Sequence, residues 1–106
     1  MLDTIRGIET LFLEIDRLLA DNSPDLNALC DVTQQAYVLM NEGMCEDLSV
    51  CHDCAKHRDF LYEMLPILEH SRDVSPFPDT LLTPLETYRT VVRNVLERVQ
   101  TILLTQ

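Results

Sequence analysis

Apolar residues in this chain return at steps of three and four along most of its length, and strand-like alternation at steps of two, bounded by turn residues, is not found. Ile5, Ile8, Phe12, Ile15 and Leu19 keep that rhythm, with Leu11 and Leu18 widening the stripe and charged residues filling the gaps. Leu85, Tyr88, Val92, Val95, Val99 and Ile102 repeat it near the other end. A period between three and four puts these side chains on one face of a helix, so the pattern commits the chain to amphipathic helices that must bury their stripes against one another.

Local signals divide the chain into four helices. The first is expected over about Leu2 to Ala20. Asp21-Asn22-Ser23-Pro24 ends it and starts the second, because Ser23 can accept from an unpaired amide and Pro24 loses no hydrogen bond at a first helical position. The second helix is expected from Pro24 to Glu42, with Leu26, Leu29, Cys30, Thr33, Ala36, Tyr37 and Met40 on its apolar face and Gly43 closing it. The pattern breaks from Gly43 to about Ser49 and resumes as a third helix through Phe60, Leu61, Met64, Leu65 and Leu68. Pro66 is expected to kink or split that helix, since it lacks an amide donor and crowds the preceding turn. Ser71 to Leu82 reads as a linker restricted by Pro76 and Pro78. Thr83-Pro84-Leu85-Glu86 then fits a capping box for the last helix.

The expected fold class is therefore all-α: an antiparallel four-helix bundle with a Cys/His-rich connection between the second and third helices. At 106 residues there is room for a single domain over 1–106 with one core, burying roughly two-thirds of the unfolded surface. The seams of the first and last helices also suit pairing between chains, so a homodimer could complete the core.

Composition narrows the function classes. The two glycines, Gly7 and Gly43, cannot make the clustered Gly loops of Walker or dinucleotide-binding sites. Eighteen Asp and Glu against eight Lys and Arg give a formal charge of −10, which repels nucleic acid and anionic lipid. The acidity is local: no Lys or Arg occurs between Arg17 and Lys56, while Asp21, Asp25, Asp31, Glu42, Glu46, Asp47 and Asp53 fall there. From Pro84 onward Arg89, Arg93 and Arg98 outweigh Glu86 and Glu97. Such a face either keeps a small protein dispersed in water or docks a basic partner. The N-terminus, with Asp3, Glu9, Glu14 and Asp16, lacks the basic start and apolar run of a secretory signal, and no stretch reaches the roughly 18 apolar residues of a membrane span. A cytoplasmic location is expected, where thiols are kept reduced.

Cys45, Cys51, His52, Cys54 and His57 gather three of the four cysteines and two of the three histidines into thirteen residues. Zinc takes four soft or borderline ligands, and a Cys-x-x-Cys turn supplies two thiolates about 2.3 Å from one ion. Cys51 and Cys54 form that pair, with Cys45 as a third ligand and His57, or Cys30 from the bundle, as a fourth. In continuous helix Cys51 and His57 would stand about 9 Å apart along the axis, so the metal reading asks for Cys51 and Cys54 in a turn at or before the helix start. Alternatively, Cys51-His52-Asp53-Cys54 is a redox dithiol at a helix N-terminus, where amide dipoles lower the pKa of Cys51 and His57 accepts a proton. In this arrangement the segment resembles the Cys-x-x-Cys…His site of the AhpD-like alkylhydroperoxidase family, which is also all-helical. That family places its histidine four residues after the second cysteine, where this chain has Arg58, and the likeness covers seven residues. A third reading makes the cysteines small core residues: Cys30 lies on the stripe of Leu26 and Leu29, and Cys54 shares a face with Leu61, Met64 and Leu68.

Other chemistry is weaker. A haem attachment site needs histidine directly after the second cysteine, where Ala55 stands, and the Glu-x-x-His pairs of di-iron bundles do not occur. His70 suits the C-terminal end of the third helix. Tyr37, Tyr62 and Tyr88 are expected half-buried with their hydroxyls outward. The expectation is a non-enzymatic helical adaptor, regulator or chaperone that binds another protein, one with a basic surface, through a helix face. A structural zinc site at Cys45, Cys51, Cys54 and His57 would clip the connection; a thiol oxidoreductase using Cys51 and Cys54 and a metal-sensing or storage protein are the competing readings.

Overall fold

The computed structural model describes the backbone of residues 2–43, 48–73 and 79–105, and the side chains of the same residues except 2, 42, 43 and 48–55. The fold is all-α: α1 spans Leu2–Leu19, α2 Leu26–Gly43, α3 Leu48–Ser71 and α4 Leu82–Leu104, with a 3-10 turn at Asp79–Leu81 before α4. The molecule measures 45 × 21 × 19 Å. At 1.5 Å per residue, the 24 residues of α3 extend about 36 Å, so the helices run along the long dimension.

The periodic stripes form the core. Ile5, Ile8, Phe12, Ile15 and Leu19 of α1 face Leu85, Tyr88, Val92, Val95 and Val99 of α4, and all ten are buried. Leu26, Leu29, Cys30, Thr33, Ala36 and Met40 of α2 and Leu61, Met64 and Leu68 of α3 close the remainder. α1 packs against both α2 and α4, and α2 packs against α3; among the described residues α3 and α4 meet at few places. The start of α1 lies beside the end of α2, where a Cβ built on Gly7 would come 2.9 Å from Leu39 Cδ2. The end of α1 lies beside the first turns of α4, where Arg89 Nε donates to the Leu19 carbonyl at 2.9 Å. The 3,4 seams of α1 and α4 are thus buried within one chain.

The helices depart from the sequence reading at the starts of α2 and α4 and at Pro66 within α3. α2 begins at Leu26, and Asp25 Oδ1 accepts from the amides of Asn27 and Ala28 at 3.1 and 3.2 Å, so Asp25 is the cap. Ser23 instead donates its amide to Asp21 Oδ1 in an Asx turn, and Pro24 is buried just outside the helix. The carboxylate wins because it reaches two amides at once and carries the charge that a helix N-terminus favours.

The capping box at Thr83…Glu86 does not form. α4 starts two residues earlier, at Leu82, continuing the 3-10 turn; its cap residue Leu81 is in helical conformation with no side-chain cap. Pro84 then sits third in the helix, still among the amides that have no carbonyl to reach. Pro66 does not split α3, which is continuous from Leu48 to Ser71. Burial of the flanking Leu61, Met64 and Leu68 in the core, on a helix that packs against α2, offsets the missing hydrogen bond. Of the expected linker, Ser71 belongs to α3 and residues 74–78 lie outside the described residues.

Candidate functional site

Of the four proposed ligands, Cys45 lies outside the described residues, as do the side chains of Cys51 and Cys54. The backbone is informative nonetheless. α3 begins at Leu48, so Cys51, Cys54 and His57 share one helix, Cys51 falling in its first turn. Cys51 and Cys54 stand about 4.5 Å apart along the axis, and Cys51 and His57 about 9 Å. His57 is half-buried. Burial, with Lys56 beside it, pushes its imidazole below the usual histidine range, toward the neutral form that a metal ligand or proton acceptor must have. Among the described residues no three His, Cys, Asp or Glu side chains converge as an ion site.

Cys30 is a core residue, 2% exposed. Burial raises its thiol pKa, Glu69 and Asp31 push the same way and Arg72 opposes them, so the thiolate needed for nucleophilic or redox chemistry is disfavoured. Next to it the expectation for Tyr88 is corrected. Its ring is fully buried, and its hydroxyl meets Thr33 Oγ1 at 2.7 Å. Phe60 packs edge-on against the ring at 5.5 Å. Position on the stripe between Leu85 and Val92 outweighs the general preference of tyrosine for a wet hydroxyl, because Thr33 supplies the partner water would have given. Tyr37 is half-buried against the exposed Tyr62, their rings 5.6 Å apart, and His70 is exposed in the last turn of α3.

Comparison with known protein families, curated proteins and solved structures gives no significant match. The chemistry of the surface is therefore read from this chain alone.

The feature that sequence reading missed is a groove between α1 and α2, lined by Leu11, Asp31, Gln34, Gln35, Val38 and Leu39. Leu11 and Leu39 are half-buried, and Val38 is 46% exposed. Glycine at position 7 of α1 leaves room for the Leu39 side chain beside it. Asp31, Gln34, Gln35 and Val38 fall at steps of three to four on a second face of α2, beside the core face. The signal was present: Val38 and Leu39 interrupt the polar side of α2, yet the core stripe already explained that helix. No helix among the described residues is long and apolar enough to cross a membrane.

Proposed function

We propose that this chain is a non-enzymatic helical binding module, an adaptor, regulator or chaperone built as an antiparallel bundle, that docks a partner protein bearing a basic surface. The observation that carries this reading is the joining of exposed Val38 and half-buried Leu11 and Leu39 with Asp31 in one groove, on a helix with no Lys or Arg. Apolar area supplies affinity there, and the one-signed charge supplies encounter rate and partner choice. The mildly basic α4 lies on a different face, so the charge asymmetry orients the partner.

A structural zinc at Cys45, Cys51, Cys54 and His57 belongs to the same proposal, as a clip between α2 and α3. The concentration of ligands in the sequence supports it, while the distance of about 9 Å along α3 between Cys51 and His57 opposes both meeting one ion, so the clip requires the first turns of α3 to open when zinc binds. Thiol redox chemistry at Cys51 and Cys54 is the competing reading; it requires a depressed pKa at Cys51.

Sedimentation tests the binding function. The purified chain should run as its 12.2 kDa monomer, whereas in extracts of its source cells it should run in a larger assembly and return to the monomer position in Val38→Lys. A chain that is monomeric in both settings, or an assembly untouched by that substitution, overturns the reading.

A further inference from the structure

We propose that the α1/α2 groove receives an amphipathic helix of the partner, with apolar anchors pressed between Leu11 and Leu39 and Lys or Arg residues along its edges; this rests on the binding function above and names the partner's chemistry. The groove is built by two neighbouring helices, so its natural filler is a further helix lying along the crevice, the arrangement in which side chains at steps of three and four become anchors. From Asp31 to Leu39 the lining extends eight residues along α2, about 12 Å, or a little over two helical turns. Two or three anchors of a short helix fit that length.

Charge selects the occupant. Along α2 the described charged side chains are Asp25 and Asp31, and the chain carries no Lys or Arg between Arg17 and Lys56. Of the two cations on α1, Arg17 is bound to Glu14, and Arg6 lines a separate depression with Gln100, Leu103 and Leu104 of α4. The exposed Gln34 and Gln35 offer side-chain carbonyls that accept from Lys or Arg. A second copy of this chain is the wrong occupant. Symmetric pairing would set Asp31 and its acidic surroundings against themselves, in a molecule already at −10.

The probe is a synthetic amphipathic peptide of leucine and lysine, about four turns long, titrated into the isotopically labelled full chain and followed by amide NMR shifts. Two control peptides accompany it: one with glutamate for lysine, one with serine for leucine. The expected result is saturable shifts centred on Leu11, Gln34, Gln35, Val38 and Leu39, with each control peptide binding about tenfold or more weakly. Val38→Lys and Asp31→Lys should each weaken the leucine-lysine peptide by about tenfold, while Leu82→Lys, at an exposed apolar site on α4, leaves it unchanged. Both groove positions are exposed enough for the variants to fold, which the unperturbed parts of their spectra verify. Shifts centred elsewhere, equal binding of the glutamate peptide, groove variants that bind like the parent, or concentration-dependent groove shifts without peptide, which would mean a second copy, each overturn the inference. A peptide that fails while the cellular assembly persists defeats this inference alone; a peptide that binds as expected while the chain is monomeric in extracts defeats the broader reading.

Discussion

Tyr88 Oη and Thr33 Oγ1 share a hydrogen bond of 2.7 Å inside the core, joining α4 to α2 across 55 residues of sequence. Neither hydroxyl touches water, so each depends on the other. Replacing one partner leaves the other buried and unsatisfied, and Tyr88→Phe or Thr33→Val should each cost about 1–3 kcal/mol. The double variant removes both polar groups and should cost clearly less than the sum of the two. Urea unfolding of the four proteins checks this; strictly additive effects would mean that the hydroxyls act independently.

The same cluster sets the alkaline limit of stability. Burial raises the Tyr88 phenol well above its ordinary range and raises the Cys30 thiol too, so both hold their protons more tightly folded than unfolded. Their contribution is complete below the unfolded values, about 8.5 for the thiol and 10 for the phenol, and is lost as pH rises beyond them. Unfolding free energy should fall from about pH 9 upward. That slope should be shallower in Tyr88→Phe and in Cys30→Ala; an unchanged slope in both variants would count against the assignment.

Helix α2 should show where its cap lies. Asp25→Ala removes the oxygen that serves Asn27 and Ala28 and should cost about 1 kcal/mol, while Ser23→Ala should cost a few tenths. Thermal unfolding distinguishes the two, and a larger loss for Ser23 would restore the cap suggested by the Ser-Pro pair.

This cap shows what kind of information the sequence carried. The stripes of α1 and α4 were legible residue by residue because burial of a periodic face depends on the pattern itself. Helix ends were less so: Ser23 and Asp25 are both good caps, and which one is used depends on how the α1–α2 connection crosses the end of the bundle. Thr83 likewise has a capping sequence that the preceding 3-10 turn overrides. Val38 and Leu39 were visible as letters, but a groove belongs to two helices at once and appears only when Leu11 is placed opposite them. Tyr88 was placed on the stripe correctly and its hydroxyl wrongly, since the partner Thr33 comes from another helix.

Arg89 closes the end of α1 from a distance. Its Nε donates to the Leu19 carbonyl, one of the groups that a helix C-terminus leaves unpaired. Arg89→Met keeps much of the side chain's apolar length and loses that bond, so it should cost about 1.5–3 kcal/mol. Hydrogen exchange should quicken most in the last turn of α1 and in the Ala20–Asn22 connection. Uniform acceleration across all four helices would instead indicate a general loss of packing.

The zinc clip is testable without reference to binding. Native mass spectrometry under reductant should find one zinc per chain, lost with chelator and in the Cys51→Ser/Cys54→Ser double variant. A metal-free protein of unchanged stability removes the clip. A free-thiol pKa at Cys51 would then remove the redox reading as well.

The central claim, that a heterologous basic helix is seated on the α1/α2 groove, is tested most directly by a photoactivatable residue placed at Gln35 and, as a control, at the exposed Asn94 of α4, in cells that naturally make this chain. The account predicts a covalent adduct from position 35 with a different protein, mapped by mass spectrometry to a segment in which Lys or Arg flank apolar residues at helical spacing, and none from position 94. No adduct from position 35, an adduct with a second copy of this chain, or equal labelling from both positions would contradict it.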